Sequence, residues 1–135
     1  MAKKTSGSLD TNVLLRLLLD DVPEQTFLVE SLLKNGTQFE IADAAILELI
    51  FVLERVYGMG RPLVCENIEA IINNPKFNCN RTLFKDAMVL YEAGAKLSII
   101  DCSLLVYAQL QKALPLYTFD KELQKKSQGG AVKPC

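Results

Sequence analysis

Short strand-like runs alternate with longer helix-like ones along this chain, and that alternation constrains the fold more than any other feature. Residues 5–9 predict a short strand and 11–19 a helix. A second helix covers 24–33, with Pro23 suited to its first turn and Asn35-Gly36 closing it. Phe39-Glu40-Ile41-Ala42 predicts the next strand, after which Asp43 is expected to cap a helix running to Tyr57 and ending at Gly58 and Gly60. Val64, Ile68, Ile71 and Ile72 recur at helical spacing over 62–73, residues 74–80 form a turn or short strand, and a helix over 82–93 stops at Gly94. Ser98 opens a helix to about Lys112, 114–118 is a strand, and Asp120 begins a helix to Lys126. Strands separated by helices pair in parallel, because the helix carries the chain back across the sheet. The expected class is therefore α/β, with a parallel sheet covered on both faces. No repeat or linker divides the chain, so one domain is expected over 1–126, followed by a disordered Gly- and Pro-containing tail over 127–135.

At 135 residues the chain is long enough to bury a proper core. Half of it is hydrophobic and 23% is charged, the balance of a folded protein that is neither disordered nor fibrous. The net charge of −1 gives no overall basic signature, which counts mildly against nucleic acid as a partner, although acids at a metal site can hide a basic patch. No run of about 18 apolar residues predicts a membrane span. The positive N-terminus meets Asp10 almost at once and Arg16 soon after, which argues against a signal peptide. Cys65, Cys79, Cys102 and Cys135 show no CxxC pairing and histidine is absent, so no zinc site is expected and reduced thiols in a cytoplasmic protein are the simple reading.

Four acids stand out. Asp10 follows the first strand, Glu48 interrupts the apolar run 44–53, Asp101 lies in the first turn of an apolar helix, and Asp120 ends the run Tyr117-Thr118-Phe119. Carboxylates set among apolar residues cost free energy unless something compensates them, and a divalent cation does so. Each Asp has a plainer alternative. Asp10 and Asp120 could simply cap the helices that follow, and Ser98 with Asp101 forms the S-x-x-D pattern of a capping box. Glu48 caps nothing; at 100° per residue it shares a face with Ala45 and Val52, and its plainer alternative is a salt bridge to Arg16 or Arg55. In open α/β sheets, sites gather beyond the carboxyl ends of the strands, where Asp10 and Asp120 fall. Several carboxylates converging there repel one another until Mg²⁺ or Mn²⁺ relieves the repulsion. Without histidine, and without a GxxxxGK[ST] or GxGxxG loop, activation of water by a cation is the remaining hydrolytic chemistry.

The order of motifs resembles the PIN-domain ribonucleases, and most of all the VapC-type toxins of toxin–antitoxin pairs. DTNVLLRLLLDD at 10–21, ILELIFVLERVYG at 46–58, IDCSLL at 100–105 and TFDKEL at 118–123 carry the resemblance, which spans about 8–123. It implies a three-layer α/β/α sandwich around a central parallel sheet, and a Mg²⁺- or Mn²⁺-dependent endoribonuclease. By similarity Asp10 and Asp101 bind the cation directly, Glu48 and Asp120 bind it or orient its waters, and Thr11 and Thr118 support the site. Asn12 matches the usual neighbour of the first aspartate. One departure is Ser98, where many members carry a further Asp; the helix cap gives a physical reason for it. The implied partners are an RNA substrate, a small antitoxin and a second copy of the chain in a homodimer. Arg16, Arg55 and Arg61, with Lys121, Lys125 and Lys126, could hold phosphates beside the cation; Asn12, Arg16, Arg55 and Lys121 are the substrate-binding candidates. Solvated surface charge is the plainer alternative for each basic residue. A housekeeping RNA-processing nuclease, or a PIN-like interaction module without catalysis, are the competing readings.

Overall fold

The computed structural model describes residues 5–93, 96–127 and 129–135, and the chain divides into two compact units, Met1–Arg81 and Thr82–Cys135. In the first unit β1 (Gly7–Ser8), β2 (Phe39–Glu40) and β3 (Phe77–Asn78) form a parallel sheet in the order β1-β2-β3. Gly7 pairs with Phe39 and Phe39 with Phe77, so the two buried rings lie side by side; in the next row Ser8, Glu40 and Asn78 follow one another. The ladder continues past the strands through Leu9 N–H to Glu40 O (3.0 Å) and Ile41 N–H to Asn78 O (2.9 Å). Leu9 and Ile41 are thereby buried at the strand ends that lead to the site.

Two helices connect each pair of these strands. α1 (Thr11–Leu19) and α2 (Pro23–Asn35) follow β1; α3 (Asp43–Arg55) and α4 (Arg61–Ile72) follow β2. α1 packs against α2 and α3, and α3 packs against α4. The periodic positions supply the core: Leu14 on α1, Ile46, Leu49, Ile50 and Leu53 on α3, and Val64, Ile68 and Ile71 on α4 are all essentially inaccessible. Each such side chain contributes roughly 1.5–3 kcal/mol relative to exposure. α2 starts at Pro23 as expected and ends where Gly36 lies against the Phe39 ring. A Cβ at Gly36 would meet that ring at 2.3 Å, so this glycine is required by close approach. Lys76 Nζ donates to the carbonyls of Leu33 and Gly36, satisfying the end of α2. Asp43 does not cap α3. It is the first residue of the helix, Ala42 holds the cap position without a side-chain bond, and the Asp43 carboxylate instead accepts from Asn80 Nδ2 (3.4 Å).

The second unit contains all but the first residue of α5 (Arg81–Glu92), followed by α6 (Ile99–Leu110), β4 (Leu116–Thr118), α7 (Lys121–Lys126) and β5 (Val132–Pro134). The Gly94 helix stop falls outside the described residues. β4 and β5 pair in parallel, with Leu116 opposite Val132 and Tyr117 opposite Lys133, and α7 packs on both strands. The tail expected to be disordered is thus ordered as a strand over Val132–Pro134. Gly129 and Gly130 take positive φ (71° and 74°) and turn the chain, after which Leu116 N–H bonds Ala131 O (2.7 Å) and Cys135 N–H bonds Thr118 O (3.2 Å). Pro134 lacks a donor but is tolerated on an edge strand. All strand pairings are parallel, and the chain is α/β.

Candidate active site

The first unit brings two of the four acids together. Asp10 and Glu48 line one open pocket of about 340 Å³, shared with Leu9, Thr11, Asn12, Ala42, Ala44 and Ala45. The placement follows from local rules. Asp10 leaves the end of β1 in extended conformation, and its Oδ1 accepts from Val13 N–H (3.1 Å), so it is the N-cap of α1. That bond occupies one carboxylate oxygen and leaves the other for the pocket. Thr11 is buried, and its hydroxyl donates to Ala45 O on α3 (3.2 Å). The bond ties the first turn of α1 to the first turn of α3, one turn before Glu48. Both carboxylates are exposed, so the expectation that these acids sit in apolar surroundings is corrected. The apolar run around Glu48 buries Ile46, Leu49, Ile50 and Leu53, while position 48 faces out between them. Glu48 forms no salt bridge to the two expected arginines: Arg16 pairs with Asp21 (2.6 Å) and Arg55 with Glu54 (3.7 Å).

The second unit holds the other two acids. Ser98 is the N-cap of α6 and its Oγ accepts from Asp101 N–H (3.1 Å), so the predicted Ser98–Asp101 pattern does open this helix, with a half-buried Asp101 in its first turn. Asp120 is exposed and caps α7, its Oδ1 accepting from Glu122 N–H (2.9 Å) and Leu123 N–H (3.2 Å). Thr118 Oγ1 accepts from Asp120 N–H (3.0 Å), and Gln124 Nε2 donates to Thr118 O (3.2 Å). Within each unit, among the described residues, no three Asp, Glu or Cys side chains cluster to hold a metal. The donors at the first pocket are nevertheless suited to a hard divalent cation: two carboxylates, a threonine hydroxyl and an asparagine amide, with no thiol.

Comparison with known proteins agrees with the motif order. The PIN domain family model matches residues 8–128. The chain belongs to the PIN domain family. A curated relative, the VapC ribonuclease of Aquifex aeolicus (strain VF5), is 28% identical over 123 residues, an alignment covering 87% of this chain and 89% of the relative.

The basic candidates of this PIN domain are partly engaged. The Arg16 guanidinium pairs with Asp21 and also approaches Tyr57 Oη (3.5 Å), which in turn donates to Asp21 (3.3 Å). Arg55 lies 5.6 Å from the Phe51 ring centroid, a cation–π contact. Lys121 is exposed at the first position of α7, and Asn12 is exposed in the pocket. Sequence reasoning missed Ala42 and Ala44. Alanines carry no chemistry, and their one signal is that Ala44 precedes Glu48 by four residues on the same helix face, where a small side chain leaves the carboxylate open. Burial pushes the Cys79 thiol up from its ordinary value, with Arg81 opposing the shift and Asp43 adding to it; Cys79 therefore stays a neutral thiol near pH 7. Among the described residues, no helix of the PIN domain is long and apolar enough to cross a membrane.

Proposed function

We propose that this protein is an endoribonuclease that hydrolyses RNA phosphodiester bonds with Mg²⁺ or Mn²⁺, acting as the toxin of a toxin–antitoxin pair. The observation that carries the reading is the open pocket where Asp10 and Glu48 stand beside Thr11 and Asn12, in a PIN domain similar to a VapC ribonuclease. A cation held there would supply positive charge beside the phosphodiester and lower the pKa of a nearby water. Asp10 and Glu48 would hold the cation, and the family's motif order makes Asp101 and Asp120 the other acidic candidates for the reaction. The Thr11 hydroxyl fixes the spacing of α1 from α3, and so of Asp10 from Glu48. The Thr118 hydroxyl fixes the Asp120 backbone. Asn12 and Lys121 are the polar and cationic groups offered to the substrate, together with the exposed and only loosely paired Arg55, whereas Arg16 is tied to Asp21. The same reading treats 1–126 as one nuclease domain, and it implies an RNA substrate, a cognate antitoxin, a homodimer and a cytoplasmic setting.

Incubation of the purified chain with structured RNAs, with and without Mn²⁺, tests the proposal. Metal-dependent fragments from the wild type and none from Asp101→Asn are expected, because the amide removes the charge while the Ser98 cap to its backbone remains. Thermal melting supplies the second readout. A ligand that binds only the folded state raises the melting temperature, so Mn²⁺ should stabilise the wild type and do so less in Glu48→Gln. Intact RNA in all lanes together with equal metal shifts in both proteins would overturn the proposal.

A further inference from the structure

We infer that the outward face of the β4–β5 sheet, together with Phe119, is a stacking platform for single-stranded RNA leading to Asp120. The inference deepens the nuclease reading and rests on it for the substrate class. Phe119 is 84% exposed and Tyr117 is 62% exposed, both within three residues of Asp120, one of the proposed site acids. Packing does not account for either ring: Val132 and Leu123 supply the buried side chains of this sheet and its helix. Tyr117 lies opposite Lys133 in the parallel register, and residues paired in that way present their side chains to the same face. Lys133 is exposed as well.

Charge points the same way. Residues 112–135 carry five lysines against two acids, in a chain whose net charge is −1. Lys125 and Lys126 stand in the last turn of α7, where the helix dipole favours a cation. Lys121 does not: it occupies the first position of α7, where the dipole disfavours a positive charge, so helix stability does not account for it. Aromatic rings interleaved with lysines suit bases and phosphates in alternation, whereas a protein partner would favour apolar area with little charge. The bases must be unpaired, because an A-form duplex stacks them inside and leaves no free face for a ring.

The test is fluorescence anisotropy of the full chain with a labelled single-stranded oligouridine and a labelled duplex of equal length, in EDTA so that binding is read without cleavage. The wild type should prefer the single strand. Tyr117→Ala and Phe119→Ala should each weaken it about tenfold, with unchanged circular dichroism because both rings are exposed. Lys133→Ala should lower the salt slope by about 0.7, the release expected for one lost phosphate contact on a single strand. Unchanged affinity in both aromatic variants would overturn the inference, as would a wild type that prefers the duplex or binds neither. A dimer that dissociates in Tyr117→Ala while RNA affinity holds would also overturn it, assigning the face to a second copy. Failure of the nuclease reading looks different: RNA binds through these residues and is never cut.

Discussion

Two turns of this chain have the same plan, a short parallel strand, an aspartate and a helix that the aspartate caps, yet they are held in different ways. At the first, Asp10 spends one oxygen on Val13 N–H, and the next residue, Thr11, reaches 34 positions along the chain to Ala45 O. At the second, Asp120 accepts from two backbone donors, and the other side-chain bonds of the turn, Asp120 N–H to Thr118 and Gln124 to Thr118, stay within residues 118–124. The Thr118 carbonyl also accepts from Cys135 N–H, just past β5. The placement of Asp10 is therefore coupled to α3 and Glu48 through tertiary structure. The placement of Asp120 is local, on a six-residue helix. A cap alone sets the direction of a side chain; a long-range hydrogen bond sets its distance from another acid.

The largest effect expected from this difference separates charge from capping. Asn accepts the same backbone bonds as Asp, so Asp10→Asn and Asp120→Asn should both fold with melting temperatures near the wild type. Ribonuclease rates with Mn²⁺ should fall about 100-fold or more in each, the scale of losing one preorganised electrostatic group at a reacting centre. A fully active Asp120→Asn would break the parallel between the turns and confine the chemistry to the first.

A smaller effect compares the two threonines as devices. Thr11→Val keeps the volume of a buried side chain and removes the donor to Ala45 O; that carbonyl keeps its place in the α3 helix, so the cost should be about 1 kcal/mol in denaturant unfolding. The stabilisation by Mn²⁺ should shrink as well, because Asp10 and Glu48 lose the bond that fixes their spacing. Unchanged metal stabilisation in Thr11→Val would show that β1 and the Asp10 cap position the acid without help from α3.

How much of this could be read beforehand varies with the kind of information each residue carries. α1 matches its predicted limits because an apolar period, a capping Asp and a polar break all agree over 10–21. The three strands of the first sheet are shorter than their sequence runs, since only two residues of each are paired in the ladder while Leu9 and Ile41 already turn toward helices. β5 escaped because Gly129, Gly130 and Pro134 resemble an unstructured tail by composition; its partner, β4, lies 16 residues back in register and leaves no local trace. Periodicity placed Glu48 on a face with Ala45 and Val52, but no local pattern says whether a neighbouring element covers that face. Here it opens on a pocket. The order of the four acids was legible as a family signature; their physical settings, exposed in three cases and half-buried at Asp101, were not.

The smallest expected effect sharpens the comparison at its weaker end. Thr118→Val removes the oxygen that accepts from Asp120 N–H, but this donor is exposed and water replaces the lost partner. The stability change should be about 0.5 kcal/mol or less, roughly half that of Thr11→Val. Asp120 also keeps its two bonds to Glu122 and Leu123, so α7 should remain capped and its amides should exchange with solvent at nearly the wild-type rate. Hydrogen exchange across 120–126 measures this directly. Rapid exchange throughout the helix would mean that the turn depends on the threonine as heavily as the first turn does, and the contrast between a tertiary and a local lock would fail.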